Sequence, residues 1–384
     1  METSPFKYGT TVSSKSFTNR EKEVQKLYIN LLQGVNTTII SPRRWGKSSL
    51  VEKVIDEINL NKPAYRTIII DLFSVGTEEE FLEIFAREVI KASSSKLENW
   101  IKAGTLFFKQ LIPKVSVGNN PDIDFNLSFD WEELKKHKNE ILNLPEIISR
   151  KKKIKFIICL DEFQNLATFS DYNIFEKQMR ACWQRHKNVT YCLYGSKRHM
   201  MEEIFNSPSK PFYRFGDIVS LQKINKQNWT NFIIEGFLSS GKLIKTADAE
   251  LIPMLMKNHS WYVQQLAHYA WQKTDKVAEK KEITSALTEL IYANTPLYQK
   301  EIEVISTTQL NLLKAIVKGE IQLTSAVVMQ KYKLGTPRNV SKNKTTLGKN
   351  DIIHKVNNKY ELLDPAFELW FLKQFFGNDY GQVN

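Results

Sequence analysis

Residues 39–50 read IISPRRWGKSSL. The stretch departs at one position from the phosphate-binding pattern G-x-x-x-x-G-K-[ST], because Ser41 stands where the first glycine belongs. Such a loop works by wrapping phosphate oxygens in backbone N–H groups and in the N-terminus of the helix that follows. Gly46 would let the backbone approach the ligand, Lys47 would reach the β- and γ-phosphates, and Ser48 would offer a hydroxyl to Mg²⁺. Serine is tolerable at position 41 if the backbone there needs no positive φ.

The flanking segments suit that reading. NTTIIS (36–41) reads as a strand and GKSSLVEKVIDEINL (46–60) as a helix. YRTIIIDL (65–72), KIKFIICLDEF (153–163), VTYCLYGS (189–196) and DIVSLQKI (217–224) read as further strands. Their apolar residues run on without alternating, which marks strands buried on both faces of a parallel sheet covered by helices. Phe81, Leu82, Ile84, Phe85, Val89 and Ile90 form a helical stripe over 78–94. The expected fold class is therefore α/β, with a parallel sheet of about five strands. Residues 113–130 carry a hairpin signal around GNNP (118–121) and read as an insertion.

Downstream the period changes. Residues 226–298 read as all helix, and 299–384 as three helices followed by a strand pair around Asn357 and Asn358, a winged-helix arrangement. The third of these helices opens on Thr336, Pro337, Asn339 and Ser341, which reads as a weak start. The expected organisation is a core over 1–225, a helical lid over 226–298 and a winged helix over 299–384.

Three further features point to chemistry at the loop. Asp161 and Glu162 end an apolar strand, where parallel sheets bind ligands. Asp161 would hold Mg²⁺ through its water shell, and Glu162 would activate the attacking water. Ser196 ends the next strand and, in a sheet ordered 5-1-4-3-2, would face the γ-phosphate. Arg214, just before the last strand, would reach the same phosphate in cis or across an interface.

Composition sets the limits. The 384 residues suit two or three domains at roughly 150 residues each. The net charge of +12 suggests an acidic partner, nucleic acid or nucleotide, or else a solvated lysine-rich surface. Three cysteines, Cys159, Cys182 and Cys192, are too few for a disulfide framework and fit a reducing, cytoplasmic setting. The histidine and cysteine spacings suggest no separate metal site. No secretory signal and no apolar run of roughly 18 residues is present, so no membrane is expected.

Together these motifs resemble the archaeal-type ATPases, a branch of the P-loop signal-transduction (STAND) ATPases within the AAA+ class. The resemblance rests on FTNREKEVQKL (17–27), SPRRWGKSSLV (41–51), IDLF (70–73), LDEFQNL (160–166), YGSKRHMMEEIF (194–205), PFYRFGDIVSLQKI (211–224) and KYELLDPAFELWF (359–371), in that order. It implies a site for ATP and Mg²⁺ built from Ser41, Pro42, Arg43, Arg44, Trp45, Gly46, Lys47, Ser48 and Ser49. It also implies that Asn19 and Arg20, with Glu21, pack near the adenine side, that Ser196 is a sensor, and that Arg214 reads the γ-phosphate. Trp261 replaces the proline usual in the family's lid motif. The expected function is an ATP-hydrolysing switch whose nucleotide state controls the winged helix. The alternatives are a DNA-binding AAA+ ATPase of the origin-recognition or transposon-accessory type, and a non-hydrolysing nucleotide-binding scaffold. Residues 331–359 carry seven lysines and one arginine against one acid, Asp351, a net +7 that suits DNA. A protein partner or a second copy of the chain is also open.

Overall fold

The computed structural model describes residues 3–11, 17–93, 114–117, 125–128 and 130–379. The chain divides into two compact units, Arg20–Gln222 and a second made of Met1–Asn19 with Lys223–Asn384.

The first unit contains the strands β1 (Thr37–Ile40), β2 (Tyr65–Asp71), β3 (Lys114–Val117), β4 (Phe125–Ser128), β5 (Lys155–Asp161), β6 (Val189–Gly195) and β7 (Asp217–Ser220). Five of them form one sheet in the order β2-β5-β6-β1-β7, the order expected from the sequence. All its pairings are parallel. Phe156–Leu160 of β5 and all of β6 are buried, which explains their unbroken apolar runs. Register then decides the site. Leu160 pairs with Leu193, and Ile40 pairs with Gly195. Ser41, Asp161–Glu162 and Ser196 therefore leave the sheet side by side at its carboxyl edge.

Helices α1 (Glu21–Leu32), α2 (Lys47–Asn61), α3 (Glu78–Ser93), α4 (Trp131–Lys152), α5 (Tyr172–Trp183) and α6 (Arg198–Asn206) complete this unit. On α3 the expected stripe is the buried face, with Phe81, Leu82, Phe85, Val89 and Ile90 nearly inaccessible. β3 and β4 pair antiparallel, as the hairpin signal requires. Their GNNP turn lies outside the described residues.

The second unit opens with α7 (Lys226–Ser239), β8 (Leu243–Ile244), α8 (Thr246–Leu255), α9 (Ser260–Lys273), β9 (Val277–Ala278) and α10 (Lys280–Glu303). The segment expected to be all helix thus holds one parallel pair, β8 with β9. Two-residue strands are too short to show a period of two. The winged helix follows as α11 (Thr307–Val317), α12 (Ala326–Tyr332), α13 (Pro337–Lys349), β10 (Ile353–Val356), β11 (Lys359–Leu362) and α14 (Pro365–Phe376). Asn357 (φ 45°) and Asn358 (φ 68°) make the two-residue turn of the wing, where both central residues need a positive φ. The start of α13 is not weak. The Thr336 hydroxyl accepts from the Asn339 N–H at 3.3 Å, and Pro337 occupies the first turn, where a missing N–H costs nothing.

Residues 3–11, placed with the core by the sequence reading, pack within the second unit instead. Phe6 is 2% exposed and its ring lies against Phe232 and Phe237. The Lys7 N–H donates to Gln264 Oε1 at 3.0 Å. Trp261 faces the same arm, with its ring edge-on to Tyr8 at 5.9 Å. Among the described residues no helix is long and apolar enough to cross a membrane. All three cysteines are free and buried.

Candidate functional site

The loop between β1 and α2 has the backbone that a phosphate cradle needs. Ser41 is not among the residues with positive φ, so the missing glycine is no obstacle there. The left-handed positions are Arg44 (φ 63°) and Gly46 (φ 91°). A Cβ on Gly46 would meet nothing within 4 Å, so conformation and not space demands glycine at that position. No side chain caps the start of α2, and its first N–H groups have no intrahelical acceptor. The Lys47 side chain is buried and folds into the loop, donating to Ser41 O at 3.1 Å and Pro42 O at 2.9 Å.

The neighbours of the loop divide clearly. Arg43 and Arg44 are exposed, whereas Trp45 and Ser49 are buried. Arg20 is 5% exposed and donates to the Trp45 carbonyl at 3.3 Å while pairing with Glu23 at 2.8 Å. It holds the loop backbone itself. Asn19, with φ 48°, ends the N-terminal segment that groups with the second unit.

At the strand ends, Ser48 Oγ donates to Asp161 Oδ2 at 2.8 Å, and the Glu162 N–H donates to Asp161 Oδ1 at 2.8 Å. Burial raises the Asp161 carboxyl to about 6, against the pull of the Ser48 hydrogen bond. Glu162 lies in the left-handed region (φ 51°), an uncommon conformation for a residue with a side chain. Its Oε2 accepts from Ser196 Oγ at 2.9 Å, from the Ser196 N–H at 3.2 Å and from the Gln164 amide.

The structure thus brings Ser41, Lys47, Ser48, Asp161, Glu162 and Ser196 together. Arg214 is not among them. It is exposed, in the left-handed region (φ 52°), with its guanidinium 5.2 Å from the Tyr213 ring. Phe212 and Phe215 on either side are buried and stack edge to face at 5.0 Å, so the turn that carries Arg214 is anchored. Among the described residues no cluster of three or more His, Cys, Asp or Glu could hold another metal ion.

Gln164 and Gly195 were not singled out by sequence reasoning. Gln164 lies in the 3₁₀ turn Phe163–Thr168 that follows Glu162, and it is completely buried. A Cβ on Gly195 would lie 1.8 Å from Gln164 Oε1. The only sequence signal was a glutamine set between apolar Phe163 and Leu166.

Residues 296–373 match the family described as a probable winged helix domain. No curated protein matches this chain significantly in sequence. Among solved structures, a Walker-type ATPase of Pyrococcus abyssi is similar with a TM-score of 0.66 at 17% identity, over 93% of this chain and 96% of the other. The ORC2 protein of Aeropyrum pernix, solved as ADPNP–ADP complexes, is similar with a TM-score of 0.57 at 12% identity, over 97% of this chain and all of the other. The chain has the fold of these two proteins, a P-loop AAA+-like sheet followed by a helical segment and a C-terminal winged helix.

Proposed function

We propose that the chain binds ATP with Mg²⁺ and hydrolyses it slowly, as a molecular switch of the STAND type. The observation that carries this reading is the bond between Ser48 and Asp161. Two hard oxygens, one from the loop and one from the strand end, lie 2.8 Å apart beside a buried lysine. That donor set suits a small divalent cation, and the half-buried Asp161 carboxylate would gain a counter-charge from it. Ser48 and Asp161 would hold the Mg²⁺, whose charge would offset that of the phosphates during transfer to water.

The residues then take these parts. Lys47 exchanges the carbonyls of Ser41 and Pro42 for phosphate oxygens. The N-terminus of α2 and the loop from Pro42 to Gly46 surround the phosphates. Glu162 removes the proton of the attacking water. Ser196, already bonded to Glu162, reports the state of the γ-phosphate. The Aeropyrum pernix neighbour was solved with an ATP analogue and ADP, which supports an adenine nucleotide. The second unit is read as a lid (226–298) and a winged helix (299–384) that nucleotide state would reposition. The buried free thiols suit a cytoplasmic setting.

Calorimetric titration with ATP tests the reading. The wild type should bind, Lys47→Ala should lose binding, and Glu162→Gln should bind without turnover. A wild type that binds no ATP would sink this reading.

DNA contact through the winged helix is favoured by one further observation. Arg338, Lys342, Thr345 and Lys349 lie on one exposed face of α13, and no ion pair among the described residues engages the three basic ones. Such a face would meet mainly phosphates. Duplex binding should therefore be strong at low salt and fall steeply as salt rises. No binding at low salt removes this reading and leaves the first intact.

A further inference from the structure

Glu162 has two carboxylate oxygens in unequal surroundings. Oε2 takes three donors, the Ser196 hydroxyl at 2.9 Å, the Ser196 N–H at 3.2 Å and the Gln164 amide. Oε1 takes none among the described residues. A carboxylate pinned by one oxygen keeps the other free to receive a proton in a fixed direction. Two of the pinning donors belong to Ser196, a residue already read as a sensor of the γ-phosphate. The third belongs to Gln164.

Gln164 is placed there at a cost. It is completely buried, and its Oε1 has no hydrogen-bond partner among the described residues. A buried amide oxygen without a partner destabilises a fold, and a methionine of similar shape would remove that cost. The space for it is kept by Gly195, whose φ is not positive. Glycine there answers a steric need, since a Cβ would lie 1.8 Å from Gln164 Oε1 and 3.1 Å from Met201 Sδ. A destabilising buried amide and a glycine shaped around it both serve a bond to Glu162.

We infer that Gln164 is a positioning residue for hydrolysis, holding the Glu162 carboxylate so that Oε1 faces the attacking water, with Gly195 as the surface against which Gln164 is wedged. The inference rests on the reading of Glu162 as the base.

Three variants test it: Gln164→Met, Gly195→Ala and Glu162→Gln. Gln164→Met should bind ATP as the wild type does and melt no lower than the wild type. Its kcat should fall by about tenfold or more, with KM little changed. Gly195→Ala should show the same loss of kcat, because it displaces the amide without altering it. In the double variant Gln164→Met with Glu162→Gln, turnover should be no lower than in Glu162→Gln alone. A merely structural role would lower melting and ATP binding together with kcat, and that pattern overturns the inference. Unchanged kcat in Gln164→Met overturns it too, while the reading of Glu162 stands if Glu162→Gln is inactive. Full turnover in Glu162→Gln, or none in the wild type, removes the base assignment and this inference with it.

Discussion

Ser48 Oγ lies 2.8 Å from Asp161 Oδ2, a contact between residues 113 apart in sequence that joins the phosphate loop to the end of β5. Parallel pairing through β6 makes it possible, since β6 lies between β1 and β5 and holds both in register. The contact leaves Asp161 half-buried beside one cation, Lys47, whose ammonium is bonded to loop carbonyls.

Asp161→Asn should therefore stabilise the metal-free protein while abolishing turnover. The folded-state pKa is raised to about 6 from the ordinary 3.8. A raised carboxyl contributes stability below its unfolded pKa and loses it as pH rises through about 6, so at pH 8 the ionised group is a net cost. Asparagine keeps an acceptor for Ser48 without the charge. Denaturant unfolding at pH 8 in chelator should show a gain of about 1–2 kcal/mol after allowing for solvent screening. At pH 4 the gain should vanish. An equal gain at both pH values would show that the charge is not its source.

Arg20→Ala should weaken nucleotide binding more than it slows turnover. The guanidinium holds the Trp45 carbonyl at 3.3 Å. A hydrogen bond from a charged donor contributes about 1.5–3 kcal/mol, so affinity for ATP should drop roughly tenfold to a hundredfold if the bond serves to preorganise the loop. Arg20→Lys should recover little, because one ammonium cannot reach both Glu23 and Trp45 in the same geometry. Calorimetry on the two variants checks this, and unchanged affinity would assign Arg20 to the stability of α1.

The centre of the sheet was legible because β1, β5 and β6 are buried on both faces, so composition alone outlines them. β5 is the clearest case, with five apolar residues ending abruptly in two acids. The cradle was legible despite Ser41, since the backbone at Ser41 needs no positive φ and the glycine that the left-handed turn into α2 requires is present as Gly46. Gln164 was not legible, because its bond to Glu162 depends on a 3₁₀ turn and on the left-handed Glu162, neither of which has a periodic signature. The N-terminal arm was hidden for a similar reason. Phe6 is a single apolar residue in a polar segment, and its partners Phe232 and Phe237 lie more than two hundred residues away. The start of α13 reads as weak from its residue types, yet the Thr336 cap and Pro337 in the first turn make it a firm one.

Acid should loosen the first unit through His186. Burial lowers its pKa from 6.5 to about 4, with Glu146 pulling the other way. Its Nε2 meets Asn143 Oδ1 at 3.1 Å and must donate, so Nδ1 accepts from the Tyr191 hydroxyl at 2.9 Å. That is a neutral ring, and protonation would oppose two donors. A depressed pKa gives stability that is present above 6.5 and is lost as pH falls through about 4. His186→Gln keeps a donor and an acceptor without titrating. It should flatten the pH dependence in that window by about 2–3 kcal/mol, read from denaturant midpoints. An unchanged slope would place the acid sensitivity elsewhere.

Arg214 should act on the nucleotide of a second copy. It is exposed, bonded to no residue of the cradle, and carried on a turn fixed by Phe212 and Phe215. A fixed turn holding an arginine in the left-handed region has no evident use within its own unit, since a surface arginine needs no such backbone. Arg214→Ala should leave ATP binding unchanged and lower turnover by about a hundredfold or more, the scale on which an arginine at the transferring phosphate acts. Mixing decides the geometry. Arg214→Ala copies have a complete cradle, and Glu162→Gln copies have the arginine. Turnover recovered on mixing two inactive variants requires that the arginine cross between copies. No recovery over a range of concentrations means that Arg214 serves its own site, after a movement of the 211–216 turn.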